Sequence, residues 1–178
     1  MSGLGLDRVN GETPAHPLEP RRQYGVIPWR IAKNGELRIM LVTSRGQGRW
    51  IVPKGWPERN RPHYMSAALE GFEEAGVIGE VVPQPLATID YLTGSDEFGE
   101  ERRLITLFAM RVVGTLTNWP ERHQRKRRWF SLPEAAHAVD DPGLAGIIAA
   151  LDDDREILQK AGRLIALTPP AAQSSAVP

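Results

Sequence analysis

Residues 53–77 read PKGWPERNRPHYMSAALEGFEEAGV, and the interpretation of the whole chain turns on them. A loop containing Gly55 leads into a stretch whose apolar spacing predicts a helix from about Pro62 to Ala75, with Asn60 as its cap and Gly76 as its stop. Three glutamates, Glu70, Glu73 and Glu74, crowd the last turns of that helix. Like charges one turn apart destabilise a helix by about 0.2–0.5 kcal/mol per pair. The negative end of the helix dipole adds to the cost. A bound divalent cation is the candidate compensation.

The rest of the chain restricts what that cation site can be. At 178 residues the chain suits one domain with tails, with enough length for a real core. We expect a flexible segment over 1–19, a single domain over 20–167 and a second flexible segment over 168–178. The first mixes Gly, Pro and charge without apolar periodicity, and the second is rich in Pro, Ala and Ser. The 22 basic and 22 acidic residues balance, so no global field advertises a nucleic acid or a membrane. Cysteine is absent, which excludes disulfides, thiol catalysis and thiolate metal sites. Any metal must be held by oxygen or imidazole. No apolar run approaches the roughly 20 residues of a membrane span, and no secretion pattern opens the sequence. A cytoplasmic protein is the default expectation.

Residues 23–31 and 36–44 read as strands, joined by a hairpin at Asn34-Gly35. Shorter or later strands are expected at 49–53, 80–93, 102–113 and 125–132. Ser131 caps a helix beginning with Pro133, and a further helix is expected over 142–162. Strands, helix, strands, helix, without internal repeats, predict a mixed sheet between helices, an α/β (α+β) sandwich.

Residues 53–77 resemble a Nudix box, in which G, five residues, E and seven residues precede R-E-apolar-x-E-E-x-G-apolar. Gly55, Glu70, Glu73, Glu74, Gly76 and Val77 fall at the required spacings. Arg61, Leu69 and Gly71 replace the first Glu, the Arg and an apolar residue. The segments RRQYGVIPWR, LVTSRGQGRWIVPKG and RKRRWF look like counterparts in the branch containing diphosphoinositol polyphosphate and diadenosine polyphosphate hydrolases. The resemblance covers roughly residues 21–140. It implies the Nudix fold, with a loop–helix–loop metal site, and metal-dependent cleavage of a diphosphate linkage.

The expected cofactor is Mg²⁺ or Mn²⁺, which suits an all-oxygen donor set. Glu70 and Glu74 lie one turn apart and can reach one ion, while Glu73 can orient or deprotonate a water. By the family resemblance, the carbonyl of Gly55 adds a ligand. The family's box Arg is thought to hold the glutamates in register, and Leu69 cannot do that. Either Arg61 reaches across to replace it, or the helix relies on packing and metal alone.

Arg22, Arg30, Ser44, Arg45, Lys54, Arg102, Arg103, Arg125 and Arg127 are the candidate substrate-binding residues. Guanidiniums bind phosphate oxygens bidentately, so as a group they suit an anionic polyphosphate. Taken singly, each arginine reads better as a solvated surface charge. The expected substrate is a dinucleoside polyphosphate, a diphosphoinositol polyphosphate or linear polyphosphate. A catalytically weakened sensor domain for a nucleotide, RNA or protein is the alternative, supported by the degenerate box. Nucleic-acid binding by RHQRKRR is a weaker rival, because no interleaved aromatics support base stacking. Trp50, Trp56, Trp129 and His63, His123 and His137 read as packing or surface residues, with Trp56 able to flank an entrance. DDDRE at 152–156 reads as an exposed helix face rather than a second metal site.

Overall fold

The computed structural model describes residues 20–95, 99–151 and 158. The expected end segments 1–19 and 168–178 and the acidic 152–156 lie outside the described residues. Seven strands form one mixed sheet: β1 Arg21–Ile31, β2 Leu37–Thr43, β3 Trp50–Ile51, β4 Lys54–Gly55, β5 Val77–Ser95, β6 Gly99–Thr115 and β7 Arg127–Ser131. Among the described residues three helices of defined extent accompany it: α1 His63–Ala75, α2 Leu132–Ala138 and α3 Pro142–Ala150. The expected α+β sandwich is the observed architecture.

β1 shows why the sheet is covered on both faces. Residues 23–29 are buried without a break, the mark of a central strand with no solvent-facing side. Strand alternation sends Tyr24 and Val26 to one face, where they meet Met40, Val42, Phe108 and Ala67 of α1. Ile27 and Trp29 go to the other face, where Leu144 and Ile148 of α3 complete the core with Ile39, Leu41 and Leu107. β1 runs parallel to β6 along Arg21–Trp29, and every other named pairing is antiparallel.

One irregularity brings the functional loop into the sheet. β1 and β2 pair only where Trp29–Ile31 meet Leu37–Ile39. Farther along, β3 bonds to β2 while β4 bonds to β1, through Tyr24 opposite Gly55 and Gly25 opposite Lys54. β3 falls within the strand expected at 49–53, whereas the two residues of β4 are too few to show a strand pattern in the sequence.

α1 begins one residue later than expected. Pro62 occupies the N-cap position without a side-chain cap, and Asn60 sits two residues earlier in the left-handed region at φ 62°. Gly76 ends the helix at φ 60°, as its position suggested. Gly71, where the box pattern has an apolar residue, explains itself by close approach. A Cβ there would lie 3.0 Å from Val26 and 3.2 Å from Val77, so its absence lets α1 settle against β1 and β5.

Ser131 caps α2 through a reciprocal pair with Glu134, as its position predicted. Asp141 caps α3 by accepting the Leu144 N–H at 2.7 Å.

Candidate active site

Four carboxylates gather around the C-terminal half of α1. Glu70 lies half-buried against Gly55: a Cβ added there would sit 1.9 Å from Glu70 Oε1. Only glycine leaves room for that carboxylate beside the loop. Glu74 is buried, and its Oε2 accepts the Lys54 backbone N–H at 3.2 Å. Glu73 is half-buried on the same turn. Glu121 approaches from the loop before β7, with its N–H donating to the Glu73 carbonyl at 3.0 Å.

Crowding shows in the protonation equilibria. Burial pushes Glu70 up to about 7, and the neighbouring charges of Glu74, Glu73 and Glu121 push the same way. Burial likewise raises Glu74 to about 7, against the pull of the Arg125 guanidinium. Burial lowers the Lys54 ammonium, with Glu74 opposing. The cluster is therefore short of positive charge.

A divalent cation fits that deficit. The donors are all oxygens, the glycine cradle keeps the Glu70 carboxylate beside the loop, and Glu70, raised first by burial and then by the carboxylates around it, gains most from a cation. No group of three or more acidic, imidazole or thiol residues converges on one point among the described residues. Glu70, Glu73, Glu74 and the Gly55 carbonyl are thus neighbours rather than a closed coordination cage.

These shifts fix a pH dependence. Glu70 and Glu74 hold protons in the folded state that the unfolded chain releases near its ordinary carboxylate value, so their contribution favours the fold at low pH. It is lost as pH rises through about 7. Metal binding requires the ionised forms and should restore stability on the alkaline side. The melting temperature of metal-free protein is expected to fall between pH 5 and pH 8, and the increase produced by Mg²⁺ to grow over the same range. Thermal scans with and without the ion check this. A Mg²⁺-induced shift that shrinks with rising pH would contradict it.

The basic residues divide into two groups. Lys54 and Arg103 line a cleft of about 540 Å³ that reaches the loop at Lys54, together with Ser44, Arg49, Asp140, Asp141 and an apolar wall that includes Ile89 and Ile105; Glu70, Glu73, Glu74 and Glu121 are not among its lining residues. Arg103 and Arg21 flank the half-exposed Trp56, with guanidinium carbons 5.8 Å and 4.1 Å from its ring centre. Trp56 is thereby held next to Arg103, one of the residues lining the cleft.

The other expected phosphate ligands are used differently. Arg125 is buried and donates to Glu74, to Glu121 and, at 2.9 Å, to the Thr43 carbonyl. Arg127 donates to the Ala75 and Leu116 carbonyls and covers Trp119, capping the end of α1. Arg30 lies over Trp129, five residues along β1 from Gly25, which is roughly 16 Å from the loop. Arg102 points to the sheet face opposite Arg103 and is held by Asp90 at 3.0 Å. Arg45 is exposed and lies 4.0 Å from Glu121. Arg22 is exposed at the start of β1. Of the residues expected to bind phosphate as a group, Arg125 and Arg127 lie at the negative end of the glutamate helix.

Arg61 faces Glu58 at 3.2 Å on the surface, so it does not reach across to the glutamates. Glu121 was missed altogether. Its only sequence signal is the four-residue spacing to Arg125. His63 stacks on Tyr24 at 4.0 Å and Trp50 meets Phe130 edge-on, both packing roles.

Comparison with known proteins places the chain in a family. Residues 21–151 match the NUDIX domain family. The chain is 31% identical over 126 residues to Nudix hydrolase 12, mitochondrial, of Arabidopsis thaliana, covering 62% of each chain. It is 32% identical over 118 residues to a diphosphoinositol polyphosphate phosphohydrolase 3-beta of Bos taurus, covering 65% of this chain and 66% of the relative. The chain thus spans less than two thirds of the length of both relatives. Among solved structures, the Ap4A hydrolase of C. elegans superposes with a TM-score of 0.55 at 14% identity, over 76% of this chain and 98% of that one. That likeness is one of fold.

Proposed function

This chain belongs to the Nudix family of pyrophosphohydrolases, and from that premise we propose that it cleaves a diphosphate linkage in a phosphate-rich substrate with the help of Mg²⁺ or Mn²⁺. The observation that supports this reading is the Glu70 carboxylate lying against Gly55, beside a cleft whose wall carries Lys54 and Arg103.

Glu70, Glu74 and the Gly55 carbonyl would hold the cation, with Glu73 beside them. When bound, the ion supplies Lewis acidity and neutralises phosphate charge. Lys54 and Arg103 grip phosphate oxygens, and the cleft orients the rest of the substrate. Glu73, half-buried at the edge of the cluster, orients the attacking water and takes its proton. Water adds to one phosphorus, the bridging P–O bond breaks, and two phosphate-bearing products leave. The apolar wall of Ile89, Ile105 and Leu144 suits a nucleobase, which favours a dinucleoside polyphosphate over linear polyphosphate.

A substrate series tests this reading. Catalytic efficiency should rise with phosphate number, from ADP-ribose to a dinucleoside tetraphosphate, and fall with added salt. Arg103→Met should cost about 10–100-fold in kcat/KM on the tetraphosphate, the scale of one charge-assisted hydrogen bond. Preference for ADP-ribose or a two-phosphate sugar nucleotide would contradict the phosphate-rich assignment.

A further inference from the structure

We propose that Arg125 is a positioning residue of the carboxylate site, supplying from outside α1 the guanidinium that the helix lacks at position 69. The inference rests on the hydrolase reading above and adds a residue to it.

Arg125 is bound on all three of its nitrogens. Nη2 donates to Glu74 Oε1, Nε to Glu121 Oε2 and Nη1 to the Thr43 carbonyl at 2.9 Å. Its side chain is 4% exposed and that of Glu74 is 5% exposed, so little water competes for the contact. The Lys54 N–H takes the other oxygen of Glu74 at 3.2 Å. Between them these two donors fix the Glu74 carboxylate in one orientation. An ionised carboxylate has about four acceptor sites, so roughly two remain for a cation.

The contact is built by the backbone as well as by the side chains. The Glu121 N–H donates to the Glu73 carbonyl at 3.0 Å, and the Arg125 N–H donates to the Glu121 carbonyl at 3.1 Å. Trp119 Nε1 donates to the Glu74 carbonyl at 3.2 Å. Residues 119–125 are thus fastened to the very turn of α1 that carries Glu73 and Glu74. Meanwhile position 69 is Leu, and Arg61 is engaged with Glu58 on the surface. The rigid fork of a guanidinium can join Glu74, Glu121 and a carbonyl at once, and the point charge of a lysine cannot hold that geometry.

Arg125→Lys and Arg125→Met test the assignment, with three readouts: Mn²⁺ affinity from the free-ion electron paramagnetic resonance signal, kcat and KM on a dinucleoside tetraphosphate, and the melting temperature. Outer partners of metal ligands typically contribute 10–100-fold in affinity or activity. Arg125→Lys is expected to weaken Mn²⁺ binding and lower kcat by about tenfold, leaving KM within about twofold, and Arg125→Met to lose about 100-fold in each of the first two. Where Arg125→Met does not fold, the lysine variant carries the test. Arg128→Met serves as the control from the same basic run, since Arg128 lies over Phe130 and reaches Glu134 at 3.5 Å. It should behave as the unaltered protein. Unchanged Mn²⁺ affinity and kcat in folded Arg125→Lys would overturn the proposal, and so would a loss confined to KM, which would make Arg125 a substrate ligand. An unaltered protein inactive on every diphosphate would instead sink the hydrolase reading, while the Mn²⁺ arm would still report on Arg125.

Discussion

Glu70→Gln is expected to lower kcat by roughly 10²–10³-fold or more, the scale seen when one group stabilising developing charge is removed, while leaving metal-free protein as stable as before or slightly more so. The two halves of that result have one cause. Glu70 is half-buried, and Glu74, Glu73 and Glu121 all act to keep it protonated, so in the absence of a cation its ionised form works against the fold. Glutamine keeps the shape and removes the repulsion. It also removes the anionic donor that a hard cation requires. The check pairs steady-state kinetics at saturating Mg²⁺ with a melting curve in chelator. Near-normal kcat would show that Glu70 is not a ligand. A large drop in melting temperature would show that its charge is structurally needed.

The second large effect is expected at Gly55, through sterics alone. Adding one methyl group there places carbon 1.9 Å from Glu70 Oε1 and 2.3 Å from its Cδ, so the carboxylate has to move. Gly55 also pairs with Tyr24 of β1, which limits how far the loop itself can yield. A displacement of about 1 Å in a catalytic group can cost on the order of 10²-fold in rate. Gly55→Ala should therefore reduce kcat by about that factor and weaken Mn²⁺ binding, with secondary structure by circular dichroism unchanged. Full activity in Gly55→Ala would mean that the contact between loop and helix is not part of the active arrangement.

Some of this was legible in the sequence because it depends on neighbours along the chain. The spacing of Glu70, Glu73, Glu74 and Gly76 defines the helix and its chemistry without reference to anything distant. β1 and β2, both buried almost without a break, likewise follow from apolar runs in the local sequence. What could not be read was how distant segments would spend their charges. RKRR looks like a phosphate cradle in one dimension, yet Arg125 and Arg127 reach 51 and 52 residues back to the end of α1. Their destination depends on the 116–126 loop folding over that helix, and no periodicity encodes such a contact. Glu121 was invisible for the same reason. Asn60 failed as a cap because Pro62, already fixed near φ −55°, takes the position from which the helix starts.

The substitution of Leu69 for the box arginine illustrates how a motif departure can be absorbed. A helix that has lost an internal guanidinium would be expected to show its glutamates unrestrained. Instead the most buried of them, Glu74, is the one held on both oxygens, by a backbone amide of the loop and by an arginine from beyond β6. On the proposal above, the guanidinium beside Glu74 comes from Arg125 rather than from position 69.

The most direct test of the central claim is hydrolysis of a dinucleoside tetraphosphate by the purified chain, followed by chromatography of the products, with Mg²⁺ and with chelator, alongside Glu74→Gln. Cleavage at a phosphoanhydride that appears with Mg²⁺, vanishes with chelator and is largely lost in the variant is the predicted result. Binding without turnover under Mg²⁺ and under Mn²⁺, or turnover that survives chelation unchanged, would contradict it.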